Sequence, residues 1–175
     1  MSDPITLTSA LIQKLKNVKL LALDVDGVLT DAGMYFSADG EALKKFNTRD
    51  GMGIRLVRDR LGIDVIWITG EVSAVVEARA KKLDITKVFF GAKDKRALLK
   101  GYCEPLGLTI ADCAFMGDDR NDIDLLSHVG LAATPADGHK LCKAAAHFVS
   151  SQNGGCGCVR ELCEALLEAN GRADA

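Results

Sequence analysis

The chain has 175 residues, of which 48% are hydrophobic and 26% charged, and a formal net charge of -2. This length suits one globular domain with a sizeable core, predicted to span residues 1–175. The nearly neutral charge and the 5% aromatic content argue against a surface that attracts nucleic acid or stacks its bases.

Strand-like and helix-like segments alternate along the chain, which is typical of a parallel α/β sheet covered by helices. Residues 1–4 lack the basic and apolar segments of a signal peptide, and no apolar run reaches membrane-spanning length. Helices are predicted at residues 7–16, 50–61, 73–83, 93–106, 119–128, 137–145 and 159–170. Buried strands are predicted at residues 19–24, 64–69, 87–90, 113–116 and 130–133.

Residues 32–47 interrupt the alternation between the first predicted strand and the helix at 50–61. Within this segment, Asp39-Gly40 favours a tight turn with a positive φ. We therefore expect a β-hairpin that projects from the end of the sheet.

The six cysteines have no spacing typical of a disulfide framework. Cys156-Gly-Cys158 is the one close pair, and it has no second ligand pair nearby with which to bind a metal. We expect reduced thiols in a cytoplasmic protein.

The most informative stretch is Asp24-Val25-Asp26-Gly27, directly after the first predicted strand. In open α/β sheets, ligands bind beyond the carboxyl ends of the strands, where both carboxylates are expected to lie. Two neighbouring carboxylates must share a proton or a cation, and Gly27 lets the backbone approach a ligand closely. Taken alone, the four residues also fit two solvated acids in a loop between a strand and a helix.

Three further polar elements follow later strands. Thr69-Gly70 offers a hydroxyl and a loop amide, Lys95 offers a positive charge, and residues 117–122 contain three aspartates. Each is unremarkable by itself, as a strand residue, a solvated lysine or helix-capping acids. Their placement at successive strand ends predicts one common site.

This set of residues predicts phosphoryl transfer. A phosphate dianion cannot approach clustered aspartates without a cation, and Mg²⁺ suits oxygen ligands shared with phosphate and water. The predicted ligands are the carboxylates of Asp24 and Asp118 and the main-chain carbonyl of Asp26. Asp24 is also the predicted nucleophile, and Asp26 the general acid and later the base.

The remaining polar residues are predicted to support that reaction. Thr69, Lys95 and loop amides near Gly27 and Gly70 would bind the phosphate oxygens as charge spreads over them. Asp119 and Asp122 would orient the magnesium waters and Lys95.

These elements resemble, in order, the motifs of the haloacid dehalogenase superfamily. They are Asp24-Val-Asp26-Gly27-Val-Leu-Thr30, Thr69-Gly70, Lys95 and Gly117-Asp118-Asp119-Arg-Asn-Asp122. The resemblance implies a Rossmann-like sheet flanked by helices. Only the hairpin lies where superfamily members often carry a cap domain, so the site is expected to be uncapped and closed by a neighbouring subunit or a large substrate.

A finer resemblance is to the capless 3-deoxy-D-manno-octulosonate 8-phosphate (KDO 8-phosphate) phosphatase group. It is carried by residues 23–31, by Lys45-Phe46-Asn-Thr-Arg49-Asp50-Gly51 and by Gly154-Gly155-Cys-Gly157-Cys-Val-Arg160-Glu161. The resemblance implies a homotetramer with hairpins meeting centrally, and a role in lipopolysaccharide precursor synthesis. It makes Phe46, Arg49 and Arg160 candidates to contact the substrate.

Glu71 departs from this group, whose members usually have Arg after the Thr-Gly pair. Together with Arg79, it resembles relatives that act on nine-carbon 2-keto-3-deoxy sugar acid 9-phosphates of the sialic-acid type. The pair could equally decorate one face of a helix. The nine-carbon substrates therefore stay open as an alternative.

Two alternatives come from other functional classes. A signalling receiver domain also uses an aspartyl phosphate, but it would carry its phosphorylated Asp two strands after its acidic pair. A non-catalytic oligomerisation module is expected to have lost Asp24, Asp26, Lys95 or Asp118, and all four are present.

Overall fold

The computed structural model describes residues 7–173. The prediction about a signal peptide at residues 1–4 lies outside this range. The strands are β1 (Leu20–Leu23), β2 (Tyr35–Ser37), β3 (Gly40–Leu43), β4 (Asp64–Ile68), β5 (Val88–Phe89), β6 (Cys113–Met116), β7 (Leu131–Thr134) and β8 (Phe148–Val149). The helices are α1 (Ser9–Lys16), α2 (Thr48–Leu61), α3 (Ala74–Lys82), α4 (Lys95–Cys103), α5 (Ile123–Leu126), α6 (Lys140–Ala145) and α7 (Cys158–Ala169).

Six strands form one parallel sheet in the order β5-β4-β1-β6-β7-β8, and β2 and β3 pair separately as an antiparallel hairpin. The α/β prediction and the hairpin prediction are confirmed. Gly40 has the expected positive φ of 113°, and it begins β3 rather than lying within the turn. No cap domain interrupts the sheet within residues 7–173.

Alternate residues of each buried strand point to opposite faces of the sheet, and helices cover both faces. Leu21 and Leu23 pack in the core that contains the buried faces of α1, α2 and α7. Leu20 and Ala22 pack in the core that contains the buried residues of α4 and α5. Each fully buried leucine contributes about 1.5–3 kcal/mol, which explains why the strands are continuously apolar.

β1 lies at the centre of the sheet, between β4 and β6. After β1 the main sheet continues with β4 and β5 on one side, and the chain then returns from β5 to add β6 on the other side of β1. This is the switch point at which open α/β sheets bind ligands. The carboxyl ends of the three strands therefore bring residues after Leu23, Ile68 and Met116 to one edge.

Several element boundaries differ from the predictions, and one strand was not predicted. In place of the helix predicted at residues 119–128, a 3₁₀ turn (Arg120–Asp122) is followed by α5 (Ile123–Leu126). α4 ends at Cys103, because the chain tightens there into a 3₁₀ turn (Glu104–Leu106) that contains a proline. α6 begins at Lys140 rather than at residue 137. β8 was not predicted, because two residues are too short to produce an alternating pattern. Among residues 7–173, no helix is both long and apolar enough to cross a bilayer.

Candidate active site

Asp24 directly follows β1 and is almost completely buried. Its amide donates to the carbonyl of Met116 (3.0 Å), which continues the pairing of β1 with β6. Its Oδ1 accepts from the amide of Val25 (2.7 Å). The next turn passes through Gly27, whose φ is +86° and where a Cβ would lie 2.0 Å from Asp118 Oδ2. Gly27 thus allows the loops after β1 and β6 to approach closely.

Lys95 is the first residue of α4, and its side chain is 1% exposed. Its Nζ lies 2.8 Å from Asp24 Oδ2 and 2.7 Å from Asp122 Oδ1. Burial alone would lower the pKa of Lys95, but Asp24 and Asp122 outweigh it and raise that pKa. Lys95 is therefore a permanent positive charge beside Asp24.

Asp118 follows β6 and contributes a third carboxylate to the site. Burial raises the pKa of Asp118 to about 7, with further contributions from Asp122 and Asp119 and an opposing one from Lys95. The pKa of Asp24 is also raised by burial and by Asp122, against the opposing effect of Lys95. More negative charge is gathered here than one lysine can balance.

Asp119 and Asp122 organise the 3₁₀ turn Arg120–Asp122 that follows. Asp119 caps the turn, and Asp122 Oδ2 accepts from the amides of Asp118 (3.0 Å) and Asp119 (3.3 Å). Because Asp122 Oδ1 is bonded to Lys95, both of its oxygens are already engaged. Asp122 therefore holds both the Lys95 ammonium group and the backbone at Asp118 and Asp119 in place.

The residues fit a magnesium ion. In the described part of the chain, the one group of metal-binding side chains with suitable spacing comprises Asp24, Asp118 and Asp122, each with an oxygen within 4.8 Å of the others. Carboxylates are the donors that Mg²⁺ prefers, and a divalent charge offsets the repulsion that, after burial, raises the pKa values of Asp24 and Asp118. Cys156 and Cys158 are free thiols outside this group.

Asp26 lies on the same loop, with its two oxygens in different surroundings. Oδ1 is 2.5 Å from the Nζ of Lys44, and Oδ2 is buried without a protein partner. Burial alone would lower the pKa of Lys44, but its contacts with Asp26 and Glu41 raise it. Sequence reasoning missed Lys44; its signal was the Glu41-Ala-Leu-Lys44 spacing at the base of the hairpin.

The loops after β1, β4 and β6 enclose a cavity of about 250 Å³. Thr69, buried at the end of β4, accepts from the amide of Glu71 (3.1 Å) through its Oγ1. The lining residues are Asp24, Asp26, Ala32, Thr69, Gly70, Glu71, Asp118, Asp119 and Asn121. Asn121 and Ala32 were not predicted. A larger cleft on the outer side of α4 has no comparable group of carboxylates.

The predicted substrate-contacting residues are divided between the cavity and the surface beyond it. Glu71 lines the cavity. The ring of Phe46 stacks on Trp67, and the guanidinium of Arg79 lies over Phe46 and donates to the carbonyl of Asn47 (3.2 Å). Neither of these two side chains lines the cavity of a single chain.

Two further arginines also lie outside the cavity of the single chain. Arg49 is exposed in the first turn of α2. Arg160 lies in α7, where its side chain pairs with Glu164. A contact between either arginine and substrate therefore requires a second subunit or a rearranged side chain.

The chain is similar to known proteins in both sequence and fold. Residues 66–162 match the model of the haloacid dehalogenase-like hydrolases. The chain is 42% identical over 165 residues to 3-deoxy-D-manno-octulosonate 8-phosphate phosphatase KdsC of Escherichia coli K12, covering 93% of this chain and 86% of that relative.

Solved structures of similar proteins share the whole fold. The Moraxella catarrhalis KDO 8-phosphate phosphatase, in complex with magnesium, phosphate and KDO, superposes with a TM-score of 0.90 at 36% identity, covering 93% of each chain. The corresponding phosphatase of Yersinia pestis has a TM-score of 0.91 at 38% identity, covering 95% of this chain and 90% of that one.

Proposed function

The chain belongs to the haloacid dehalogenase-like hydrolases, and from this premise we propose that it hydrolyses KDO 8-phosphate to KDO and phosphate through an aspartyl phosphate on Asp24. It is a phosphatase of the kind represented by its KdsC relatives. The observation that carries the mechanism is the pairing of a buried Asp24 with Lys95, beside an Asp26 whose Oδ2 has no protein partner.

In the first half of the reaction, a carboxylate oxygen of Asp24 attacks phosphorus. The bond between phosphorus and the sugar oxygen breaks, and Asp26 gives its proton to that oxygen, so that a neutral alcohol leaves. Lys95 and the hydroxyl of Thr69 stabilise the charge that spreads over the phosphate oxygens.

In the second half, Asp26 removes a proton from a water molecule. The resulting nucleophile attacks the phosphorus of the aspartyl phosphate, which releases phosphate and restores Asp24. Asp122 keeps Lys95 directed at Asp24 in both halves, through the 2.7 Å contact of its Oδ1 with Nζ.

Asp24, Asp118 and the main-chain carbonyl of Asp26 would hold the magnesium ion, and Asp119 would orient its waters. When bound, magnesium supplies the positive charge that lets a phosphate dianion approach the aspartates. The requirement for magnesium is supported by the raised pKa of Asp118 and by the magnesium in the complex of the Moraxella relative.

A nine-carbon 2-keto-3-deoxy sugar acid 9-phosphate is the second candidate substrate, because Glu71 lines the cavity. An acidic side chain at this position selects hydroxyl groups and repels a carboxylate, so it bears directly on which sugar acid fits. Glu71 precedes α3 and Arg79 lies within it, with its guanidinium over Phe46. A role for Arg79 in substrate binding depends on a neighbouring subunit.

The test is phosphate release with magnesium, comparing kcat/KM for KDO 8-phosphate and for a nine-carbon 9-phosphate. We expect the eight-carbon substrate to be preferred by at least about tenfold, a difference that one or two contacts supply. Asp24→Asn is expected to abolish turnover of both. A preference for the nine-carbon acid that Glu71→Arg reverses would establish the second candidate instead.

The proposal includes a homotetramer in which a neighbouring subunit closes each site and brings residues such as Arg49 and Arg160 to the substrate. Its support is the exposed apolar surface of the hairpin, where Phe36 is 66% and Leu43 64% exposed. We also propose that residues 1–175 form one hydrolase domain, and that it acts in the cytoplasm, in keeping with six free cysteines.

A further inference from the structure

Lys44 is a buried cation beside Asp26, and none of the reaction steps proposed above uses it. It follows β3 at the base of the hairpin, and its side chain is 0% exposed. Its Nζ lies 2.5 Å from Asp26 Oδ1 and 3.0 Å from Glu41 Oε1. Because losing either contact would leave a charge unpaired in surroundings of low polarity, the ammonium group is held in one place.

Glu41 ties Lys44 to a second element of the fold. Its Oε2 accepts a hydrogen bond from Ser73 Oγ, and Ser73 caps α3 by accepting from the amide of Val76 (3.3 Å). α3 follows the loop that carries Thr69 and Gly70. The position of the Lys44 Nζ is therefore determined by two elements, the hairpin and α3, and not by the hairpin alone.

The contacts of Lys44 make the two oxygens of Asp26 inequivalent. Oδ1 accepts from Lys44 Nζ and, at 3.5 Å, from Thr30 Oγ1. Oδ2 is buried without a protein partner, on a residue that lines the cavity. Turning the carboxyl group out of its present plane would break the contact with Lys44, so the ion pair keeps one oxygen position paired and the other one without a protein partner.

We propose that Lys44 is a positioning residue for the proton transfers of Asp26, a role that rests on the phosphatase function proposed above. By holding Oδ1, Lys44 leaves Oδ2 to give the proton to the sugar oxygen as the first phosphorus–oxygen bond breaks. The same oxygen accepts the proton of water as the second bond forms. Lys44 itself is not among the residues that line the cavity, so it acts through Asp26.

The first test compares Lys44→Met with Lys45→Met. Lys45 is the matched control, because it is the next lysine on the same hairpin, is 56% exposed and pairs with Asp31 instead. On KDO 8-phosphate, we expect Lys44→Met to lower kcat by about 10–100-fold, part of what a general acid contributes, with KM changed less than about threefold. Lys45→Met is expected to keep kcat within about twofold of wild type.

The second test separates proton transfer from general damage to the site. The nitrophenolate of 4-nitrophenyl phosphate leaves without a proton, so forming the aspartyl phosphate from this ester does not need Asp26 as an acid. Lys44→Met should therefore show a rapid burst of nitrophenolate, at a rate within about threefold of wild type, followed by slow turnover. A variant with a damaged site would lose the burst as well.

The third test is a double-mutant cycle with Asp26→Asn. If Lys44 acts through Asp26, adding Lys44→Met to Asp26→Asn should lower kcat by less than about twofold more. Glu41→Gln leaves the contact between Lys44 and Asp26 in place, and it replaces Lys44→Met if that variant fails to fold by circular dichroism. We expect Glu41→Gln to lower kcat by about 2–10-fold, again only when Asp26 is present.

The outcomes distinguish this role from the phosphatase function itself. Wild-type protein that hydrolyses neither ester would overturn the proposed function, and the role of Lys44 with it. If the wild-type protein is active, three results would each overturn the role of Lys44 alone. They are an unchanged kcat in Lys44→Met, loss of the nitrophenolate burst in Lys44→Met, and effects of Lys44→Met and Asp26→Asn that multiply.

Discussion

Among the single residues of the site, the buried carboxylates carry more negative charge than the neighbouring lysine neutralises. Asp118 has a pKa of about 7 because burial disfavours its charged form, and Asp122 and Asp119 add repulsion. Lys95 offsets part of this charge through its contacts with Asp24 and Asp122. The remaining negative charge is what a divalent cation would neutralise, so metal binding and stability should be linked.

The metal-free protein is expected to lose stability as pH rises. The ordinary pKa of an aspartate is 3.8, and that of Asp118 in the folded chain is about 7. Between these values the folded state binds more protons than the unfolded state, so the free energy of unfolding falls with increasing pH. The melting temperature of chelator-treated protein should therefore fall from about pH 5 to about pH 8.

Saturating magnesium should remove most of that fall, because the ion favours the carboxylate form. Asp118→Asn is the control, since it removes the titrating group and should make the pH dependence shallower without metal. A metal-free melting temperature that rises over this range would contradict the electrostatic account.

At the scale of elements, the glycine-rich loop before α7 supports the nucleophile loop by backbone packing. The amide of Gly155 donates to the carbonyl of Val28 (2.9 Å), and a Cβ on Gly154 would lie 2.0 Å from the carbonyl oxygen of Gly27. Asp50 of α2 is buried and accepts from the amide of Arg160 (2.8 Å), so it caps α7 where Gly157 has no side chain to do so. The glycine-rich loop and Asp50, which do not line the cavity, thus help to position the loop that carries Asp24 and Asp26.

Gly154→Ala should impair both stability and catalysis. The added methyl group meets the backbone of Gly27, which cannot move without displacing Asp24 and Asp26. We expect a loss of about 1–3 kcal/mol in the free energy of unfolding, as for other overpacked sites, and a fall in kcat of at least about tenfold. Urea denaturation and steady-state phosphate release measure the two effects.

Gly101→Ala is the matched control, because Gly101 lies within α4 with nothing within 4 Å of an added Cβ. It should gain about 0.5–1 kcal/mol and keep wild-type kcat. Wild-type stability and kcat in Gly154→Ala would show that the two loops are not packed as described.

At the scale of the whole molecule, the hairpin exposes apolar side chains at a distance from the two cores. Tyr35, Phe36 and Leu43 are all more than half exposed. Several exposed apolar side chains on one small element are typical of an interface between proteins. It is the physical reason to expect that the hairpins associate in the proposed tetramer.

Phe36→Ser and Leu43→Ser together should dissociate the tetramer and lower kcat/KM by more than about tenfold, since the neighbouring subunit would no longer close the site. Sedimentation velocity measures the assembly and phosphate release the activity. Leu106→Ser is the control, because Leu106 is a similarly exposed apolar residue (52%) in the 3₁₀ turn after α4. An active monomer of the wild-type chain would refute the neighbour-closed site.

The sequence was sufficient for the order of strands and helices, since each buried strand is a continuous apolar run and most helices have a clear apolar face. It was less informative for β8 (Phe148–Val149), which is too short to give a pattern, and for the end of α4, where a 3₁₀ turn ends the helix. The residues of the four motifs were predictable because each follows a strand that ends at one edge of the sheet. Their chemical roles stay predictions until the variants are measured.

Local periodicity and short motifs were enough to predict the α/β class, the hairpin and the group of acidic, hydroxyl and lysine residues at the strand ends. Which charges meet depends on how the folded chain packs. Lys44 could be read as one of several surface lysines until packing buried it against Asp26 and Glu41. Likewise, only packing shows that the guanidinium of Arg79 lies over Phe46. Such contacts join residues far apart in the chain, and their energies depend on burial, which no local pattern records.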